Sequence, residues 1–379
     1  MKRLILILLV LSMILTTACW DMIELEDRTL PYSVAIDKKT STIDDTSKGE
    51  LLFCFSYPNI NALGKNATQE ELVFILNTTA DSMYEAAHKL TTRIHNPIYL
   101  KHLNVVIMSE EVYSNERYLR QILDGIQRDF IINKMIYLLI TRVTAHELLT
   151  KKLESKRQET VEGMFINLLR NVQESDQFTP IRVMEFIQDM DHKKASVVPL
   201  ATPEEDIEIS GGGLFKDYKF VGYIDGEDNA NIALLNNEIN NSMVDIEYND
   251  AHLSILLTGF STKKKLIKDQ DILKIQYDIK VNGQIEQYIL HEFDDINSLE
   301  TMEDMEDNLN REIKANILVT VDKLQNEHNA DALGILEHIY KFHPKVYRQV
   351  EEDWDGIFPH IDIEVNVDTK IRRRGLSEI

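Results

Sequence analysis

Cysteine is nearly absent: two in 379 residues cannot build a disulfide framework or supply a four-cysteine zinc site. Proline (8) and glycine (14) are sparse as well, which excludes collagen-like and linker-dominated chains. Positive charge is in short supply, 41 Lys and Arg against 63 Asp and Glu, the wrong sign for a chain that neutralises nucleic-acid phosphates. No segment after the first twenty residues approaches the ~20 apolar residues that span a bilayer. What remains is an ordinary globular composition, 44 % apolar and 27 % charged, long enough for two to three domains at ~150 residues each.

The first twenty residues stand apart. Lys2 and Arg3 precede an apolar run from Leu4 to Leu15 broken only by Ser12, the pattern of a signal peptide. Thr16, Thr17 and Ala18 then lead to Cys19, the arrangement of a lipoprotein signal, although Thr16 stands where such signals usually carry Leu. Lipid attachment needs a cysteine there, because its thiolate takes the diacylglyceryl group as a thioether before the upstream peptide is cut. Ordinary secretory cleavage near Ala18 and an uncleaved anchor are the alternatives, and all three export the chain. A single acyl chain holds a protein only marginally at ~0.8 kcal/mol per buried CH₂, whereas two or three on Cys19 make a stable anchor. With Lys2 and Arg3 removed, 39 basic residues face 63 acidic ones, a formal charge of −24. Such a body gains nothing from an anionic membrane surface, so lipid must do the anchoring. Cys54, in the apolar run Leu51 to Tyr57, then has no partner in the chain and is expected as a buried thiol.

Periodicity predicts strands at 29–38, 50–57 and 71–77, and a helix over 79–94 closed by Pro97. A strand at 102–109, a helix at 116–130 and a strand at 135–141 follow. Thr144 with Glu147 has the spacing of a capping box. Helices are expected over 158–174 and 181–190, the second with Thr179 as N-cap and Pro180 at the first helical position. From Ser196 to Glu208 the periodicity lapses around Pro199 and Pro203, which suggests a domain boundary. Beyond it come a strand pair turning at Asp217, strands at 242–248, 251–260 and 272–281, and a hairpin turn at Asn282-Gly283 leading into 284–291. A long amphipathic helix begins near Ser298 and runs to Leu324, a second covers 331–342, and 360–370 alternates as a half-buried final strand.

The expected class is therefore α+β and multidomain: an N-terminal mixed α/β domain, then a mainly antiparallel C-terminal sheet packed by a long amphipathic helix. The expected divisions are a signal peptide over 1–18 and domains over 19–200 and 201–379, with a further split near 260 left open.

The motifs of enzymes and metal proteins are not found. His338 and His343, the nearest approach to a ligand pair, are better read as packing or surface residues. Asp225 to Asn237 resembles a calcium loop, but Ala230 replaces the required Gly and Asn236 the bidentate Glu, so a solvated turn is expected. Gly211-Gly212-Gly213 lacks the Lys-Ser/Thr of a phosphate loop and suits a close backbone crossing. The acidic run from Asp294 to Asp307 suits the start of the long helix, and Arg372 to Arg374 a solvated tail. No catalytic residue, metal ligand or cofactor is assigned.

Several stretches carry a resemblance. The start Cys19-Trp20-Asp21 with Glu24 and Leu25, the stretch from His102 to Met108 continuing to Arg128-Asp129 and Met135 to Thr141, the helix Thr144 to Leu149, Gly213 to Asp225, and Asp331 to Ile335 through Pro344 to Gly375 together resemble the Ger(x)C family, the C-subunit lipoproteins of spore germinant receptors. That resemblance implies a non-enzymatic α+β subunit, lipid-anchored through Cys19 on the outer face of the inner spore membrane. It would act beside two polytopic membrane subunits in a nutrient receptor that triggers germination, and whether it touches the nutrient is left open. Trp20 and Asp21 suit an interfacial or partner-contact role. A solute-binding lipoprotein of a transporter is the alternative, and it requires two similar lobes around a cleft.

Overall fold

The computed structural model describes residues 28–39, 50–59, 73–129, 132–151, 160–170, 176–248, 251–269, 272–288 and 299–372. Strands β1 (Ser33–Lys38), β2 (Leu51–Pro58), β3 (Val73–Ala80), β4 (Val105–Ser109), β5 (Tyr137–Thr141), β6 (Ala195–Pro203), β7 (Ile207–Lys216) and β8 (Lys219–Ile224) form one sheet. Their order is β3-β2-β1-β4-β5-β6-β7-β8. The centre, β1 to β4 to β5 to β6, is parallel, and both flanks are antiparallel.

Parallel strands must be covered on both faces, and period-two alternation provides for it. Val34, Ile36, Val106 and Met108 enter one core while Ala35, Cys54, Val105 and Ile107 enter another. In chain order the helices are α1 (Met83–Leu90), α2 (Glu116–Arg128), α3 (Ala145–Leu149), α4 (Val161–Arg170) and α5 (Val183–His192). Helices α1, α2 and α5 cover the first face, α3 and α4 the second. Helix α2 forms because Leu119, Ile122, Leu123 and Ile126 share one stripe and the Asn115 side chain accepts the amides of Arg117 and Tyr118. Helix α3 is capped twice: Thr144 Oγ1 accepts from Glu147 N at 3.1 Å, and the buried Asp37 carboxylate on β1 accepts the amides of Ala145 at 2.7 Å and His146 at 2.9 Å.

The second sheet has the order β12-β11-β10-β9, made of β9 (Asn241–Tyr248), β10 (Ala251–Asp269), β11 (Ile272–Tyr288) and β12 (Asp362–Ile371). Helix α6 (Gly226–Leu235) links the two sheets, and α7 (Leu299–Asp322) packs on the second. Helix α7 runs into a π-helical turn over Lys323–Glu327, where buried Gln325 donates to the carbonyls of Phe358 and Ile361. Helices α8 (Ile335–Phe342) and α9 (Pro344–Val350) precede β12, which lies parallel to β11, so this otherwise antiparallel sheet is mixed.

The α+β class holds, and four local expectations are corrected. Ser196 to Glu208 is part of two paired strands: Pro199 sits at the register shift between Pro199 and Ala201, a position where a strand tolerates proline, and the first sheet continues past residue 200 to Ile224. Asn282-Gly283 is no turn but lies mid-strand, held by β10 on one side and by Lys370 and Ile371 of β12 on the other. A bulge between Thr258 and Ser261, with Gly259 at φ +61°, absorbs the irregularity there. Asp225 to Asn237 is a helix rather than a solvated turn, started by Asp225, whose Oδ1 accepts from Asp228 N. Helix α5 begins at Val183 with Arg182 before it, and Thr179 instead accepts from Asn229 Nδ2 at 3.2 Å.

Elsewhere the readings hold. Asp217 and Tyr218 both have positive φ and turn the β7–β8 hairpin. A side chain on Gly211 would meet the Ile224 carbonyl, and one on Gly213 the Ile140 side chain, so this triplet does allow close crossing. Helix α6 joins α7 through a polar knot: buried Asp228 accepts from Thr320 Oγ1 at 2.8 Å and from Lys323 Nζ at 2.7 Å, while Asn231 donates to Thr320.

Two outcomes are expected. Lys323→Met leaves the Asp228 carboxylate buried without its cation and should cost about 2–4 kcal/mol in urea unfolding; a loss below about 0.5 kcal/mol would contradict the assignment. Cys54 is fully buried and free, and burial, followed by the nearby Asp37 charge, pushes its thiol up to about 12. A thiol reagent at neutral pH should therefore label it only after unfolding.

Candidate functional site

Beside the first sheet, between α5 with β6 and the linking helix α6, lies a cleft of about 380 Å³. One wall is the last turn of α5 and the start of β6. There Asp189 accepts from Ser196 Oγ at 2.8 Å and pairs with Lys193 Nζ at 2.9 Å. The facing wall is Asn229 and Ile232 of α6 with Asn236 and Glu238 just beyond its end, and Ala332 completes the lining. Helix α6 is held in place by Asn236 Nδ2, which donates to the Ala332 carbonyl at 2.9 Å, and by the Glu238 amide, which donates to Ala233 O.

The charges are set by burial against proximity. Burial disfavours the Lys193 ammonium, but adjacent Asp189, with Glu238 and Glu337 further off, more than offsets it and raises its pKa. Burial raises the Glu238 carboxyl; Lys193 opposes that and Asp189 reinforces it. A second pair lies nearby on the C-terminal side. Burial lowers Lys264 to about 8, although it donates to the Leu333 carbonyl and its ammonium stands 5.3 Å from the Tyr277 ring centroid. Burial also raises Asp331 to about 6, against the amides of Ile335 and Leu336 that its carboxylate accepts at 3.0 and 2.8 Å. The cleft has the size and polar lining to hold a small polar molecule. Ser196, 4 % exposed and donating to a carboxylate, has no histidine base beside it in the lining.

The residues singled out from the sequence fall apart in space. Cys19, Trp20, Asp21 and the first part of the acidic run, Asp294 to Ser298, lie outside the described residues. The rings of His338 and His343 are 5.9 Å apart, and His338 packs on Phe342. Burial, with Lys264, His343 and Lys341 adding to it, lowers His338 to about 4, so it is neutral near pH 7. Among the described residues no three of His, Cys, Asp and Glu gather to hold a metal. The cleft was missed because the Asp189–Lys193 pair, four residues apart, resembles an ordinary helix-surface pair, and Glu238, which faces it, lies on a distant segment. Asp331 alone carried a signal, in the stretch Asp331-Ala-Leu-Gly-Ile.

These features define a two-sheet α+β body with a charge-paired cleft beside the helix that links its sheets. Two family models match it in order: the spore germination protein N-terminal domain over residues 21–203, and the spore germination B3/GerAC-like C-terminal model over residues 210–375. Spore germination protein KC of Bacillus subtilis (strain 168) is 21 % identical, across 99 % of this chain and 96 % of that protein. Spore germination protein B3 of the same organism is 20 % identical across 93 % of each. A crystal structure of the GerBC protein shares the fold, with a TM-score of 0.57 at 18 % identity over 89 % of this chain and 96 % of that one. The chain belongs to the Ger(x)C family of spore germination proteins, and its role is in germination.

Asp331 gives a pH signature. Its folded pKa of about 6 lies above the ordinary carboxyl value of about 3.9, so between those values the folded state binds the proton more tightly. Its contribution to stability therefore falls as pH rises through that window. Relative to Asp331→Asn, the wild type should gain stability as pH falls from about 6.5 to about 4, read from urea midpoints; a constant difference would refute the assignment.

Proposed function

We propose that this chain is a lipid-anchored, non-catalytic subunit of a nutrient germinant receptor, exported and held through Cys19 on the outer face of the inner spore membrane beside two polytopic subunits. The observation that carries the proposal is the ordered match of both germination models over nearly the whole length that follows Cys19. The signal-peptide pattern ending at Cys19 supports the anchor. Among the described residues no helix is long and apolar enough to cross a membrane. The charged groups of the cleft are engaged with one another, which suits binding better than group transfer.

A solute-binding lipoprotein requires two like lobes. Here an eight-stranded sheet with helices on both faces stands beside a four-stranded sheet, and that asymmetry favours the receptor-subunit reading.

Cys19→Ala should leave a folded body but abolish stable membrane association. Fractionation of spore membranes with a high-salt wash checks this, and a variant that stays in the pellet would show that lipid is not the sole anchor. Detergent pull-down of the tagged chain should bring down acylated Cys19 and two polytopic proteins; a permease with an ATPase would favour the transporter reading instead.

A further inference from the structure

We propose that one end of the first sheet is a membrane-facing surface that lies against anionic lipid headgroups; this rests on lipid attachment at Cys19, as proposed above. Where the chain enters the described body fixes which end. Thr29 N donates to Pro97 O and Thr29 O accepts from Tyr99 N, and Tyr32 N donates to Ser56 O while its carbonyl accepts from Asn104 N. The register places the first residues of β1, β4 and β5 side by side, Ser33 against Val105 and Val105 against Tyr137, with the last residue of β2 against the first of β3. Only eight residues lie between Cys19 and Arg28, nine residue steps with a reach of at most ~30 Å. Strand β10, with 19 residues, is itself ~60 Å long. A bilayer holding Cys19 is therefore near this end of the molecule, and much of the second sheet is beyond the tether's reach.

The surface at that end has the required chemistry. Ten large apolar side chains are exposed among the described residues, and four of them, Tyr32, Phe74, Tyr84 and Met135, lie here. Tyr84 lines an apolar hollow of about 140 Å³ with Ile98 and Tyr99, and Arg28 stacks over the Tyr99 ring at 4.0 Å. Tyrosine rings are favoured at the bilayer interface, where one end is apolar and the other wet. Residues 88–104 carry three Lys or Arg and three His with no carboxylate, although acidic residues outnumber basic ones across the chain. Of these, Arg93, His95, Lys101 and His102 are exposed, whereas Lys89 is paired with Glu85. Asp129 is the carboxylate that borders the hollow. Charges beyond a Debye length of ~8 Å are largely screened, so this local composition, and not the net charge of −24, decides how the surface meets anionic lipid. The whole-chain charge balance hid it.

The test uses the full lipidated chain in phosphatidylglycerol-containing vesicles, with an environment-sensitive thiol label at Phe74→Cys or, as a control, at exposed Val319→Cys on α7, whose neighbour Thr320 is bonded to Asp228 beyond the opposite end of β8. Cys54 is buried and Cys19 is blocked by its lipid, so labelling is confined to the new thiol. Nitroxide lipids should quench the label at position 74 several-fold more than the label at 319. Arg93→Glu with Lys101→Glu should cut that difference while leaving flotation with the vesicles unchanged. Equal quenching at both positions in a chain that floats would overturn the orientation. So would a label at 74 shielded from aqueous iodide but untouched by nitroxide lipid, because a second protein would then cover the face. A chain that fails to float refutes the anchor itself, and with it the tether on which the orientation depends.

Discussion

The constraint on which the rest depends is that β1, β4 and β5 lie side by side in parallel and so cannot leave either face to water. Their register puts Val34, Ile36, Val106 and Met108 on one side and Ala35, Val105 and Ile107 on the other. Helices must then occupy both sides, and the crossovers from β1 to β4 to β5 to β6 supply them. Asp37 shows how tightly the layers are tied: a carboxylate on β1 closes the N-terminus of α3, more than a hundred residues further along the chain. The same strands fix the position of Thr29 to Tyr32, and so the point at which the tether meets the body.

The second sheet obeys a different rule. One long hairpin, β10 with β11, presents Leu253, Ile255, Leu257, Ile275, Tyr277 and Ile279 to the stripe of Met305, Leu309, Ile313 and Ile317 on α7. Where the two bodies meet, Ala195, Leu214 and Ile224 of the first sheet share one apolar core with the second, and polar networks flank it. Asp228, Thr320, Asn231 and Lys323 satisfy one another on one side of α6, and Lys193, Asp189 and Glu238 face each other on the other side. Such networks fix geometry without adding much net stability, which suits a joint that must hold a defined angle.

Elements with strong, local periodicity were legible in the sequence: α2 with its apolar stripe, the β7–β8 hairpin with its Asp217 turn, and the strands β4 and β5; the Asn115 cap of α2 was not among them. The failures share a cause, tertiary context overriding a local signal. Asn282-Gly283 has the best turn dipeptide in the chain, yet neighbours on both sides pull it into a strand. Pro199 looked like a break, and a bulge accommodates it. Asp225 to Asn237 looked like a solvated turn once it failed as a calcium loop, whereas Asp228, Asn229 and Asn231 find their partners on segments that no local reading could supply. The family resemblance was legible because it drew on order along the whole chain. The cleft was not, because its Asp189–Lys193 pair resembles ordinary helix-surface charge and the wall that faces it comes from a distant segment.

The sheet that crosses residue 200 bears on how this family can change. Strands β7 and β8 follow that point, yet Phe215 on β7 packs edge-on against Phe186 at 5.3 Å, and Phe220 on β8 against Tyr113 at 4.9 Å, inside the core built by the earlier residues. A nascent chain has no complete first core until Ile224 has left the ribosome. A recombination crossover at the proline-containing stretch, which looks in sequence like a natural seam, would therefore divide the first core, whereas one after β8 would leave that core within a single parent.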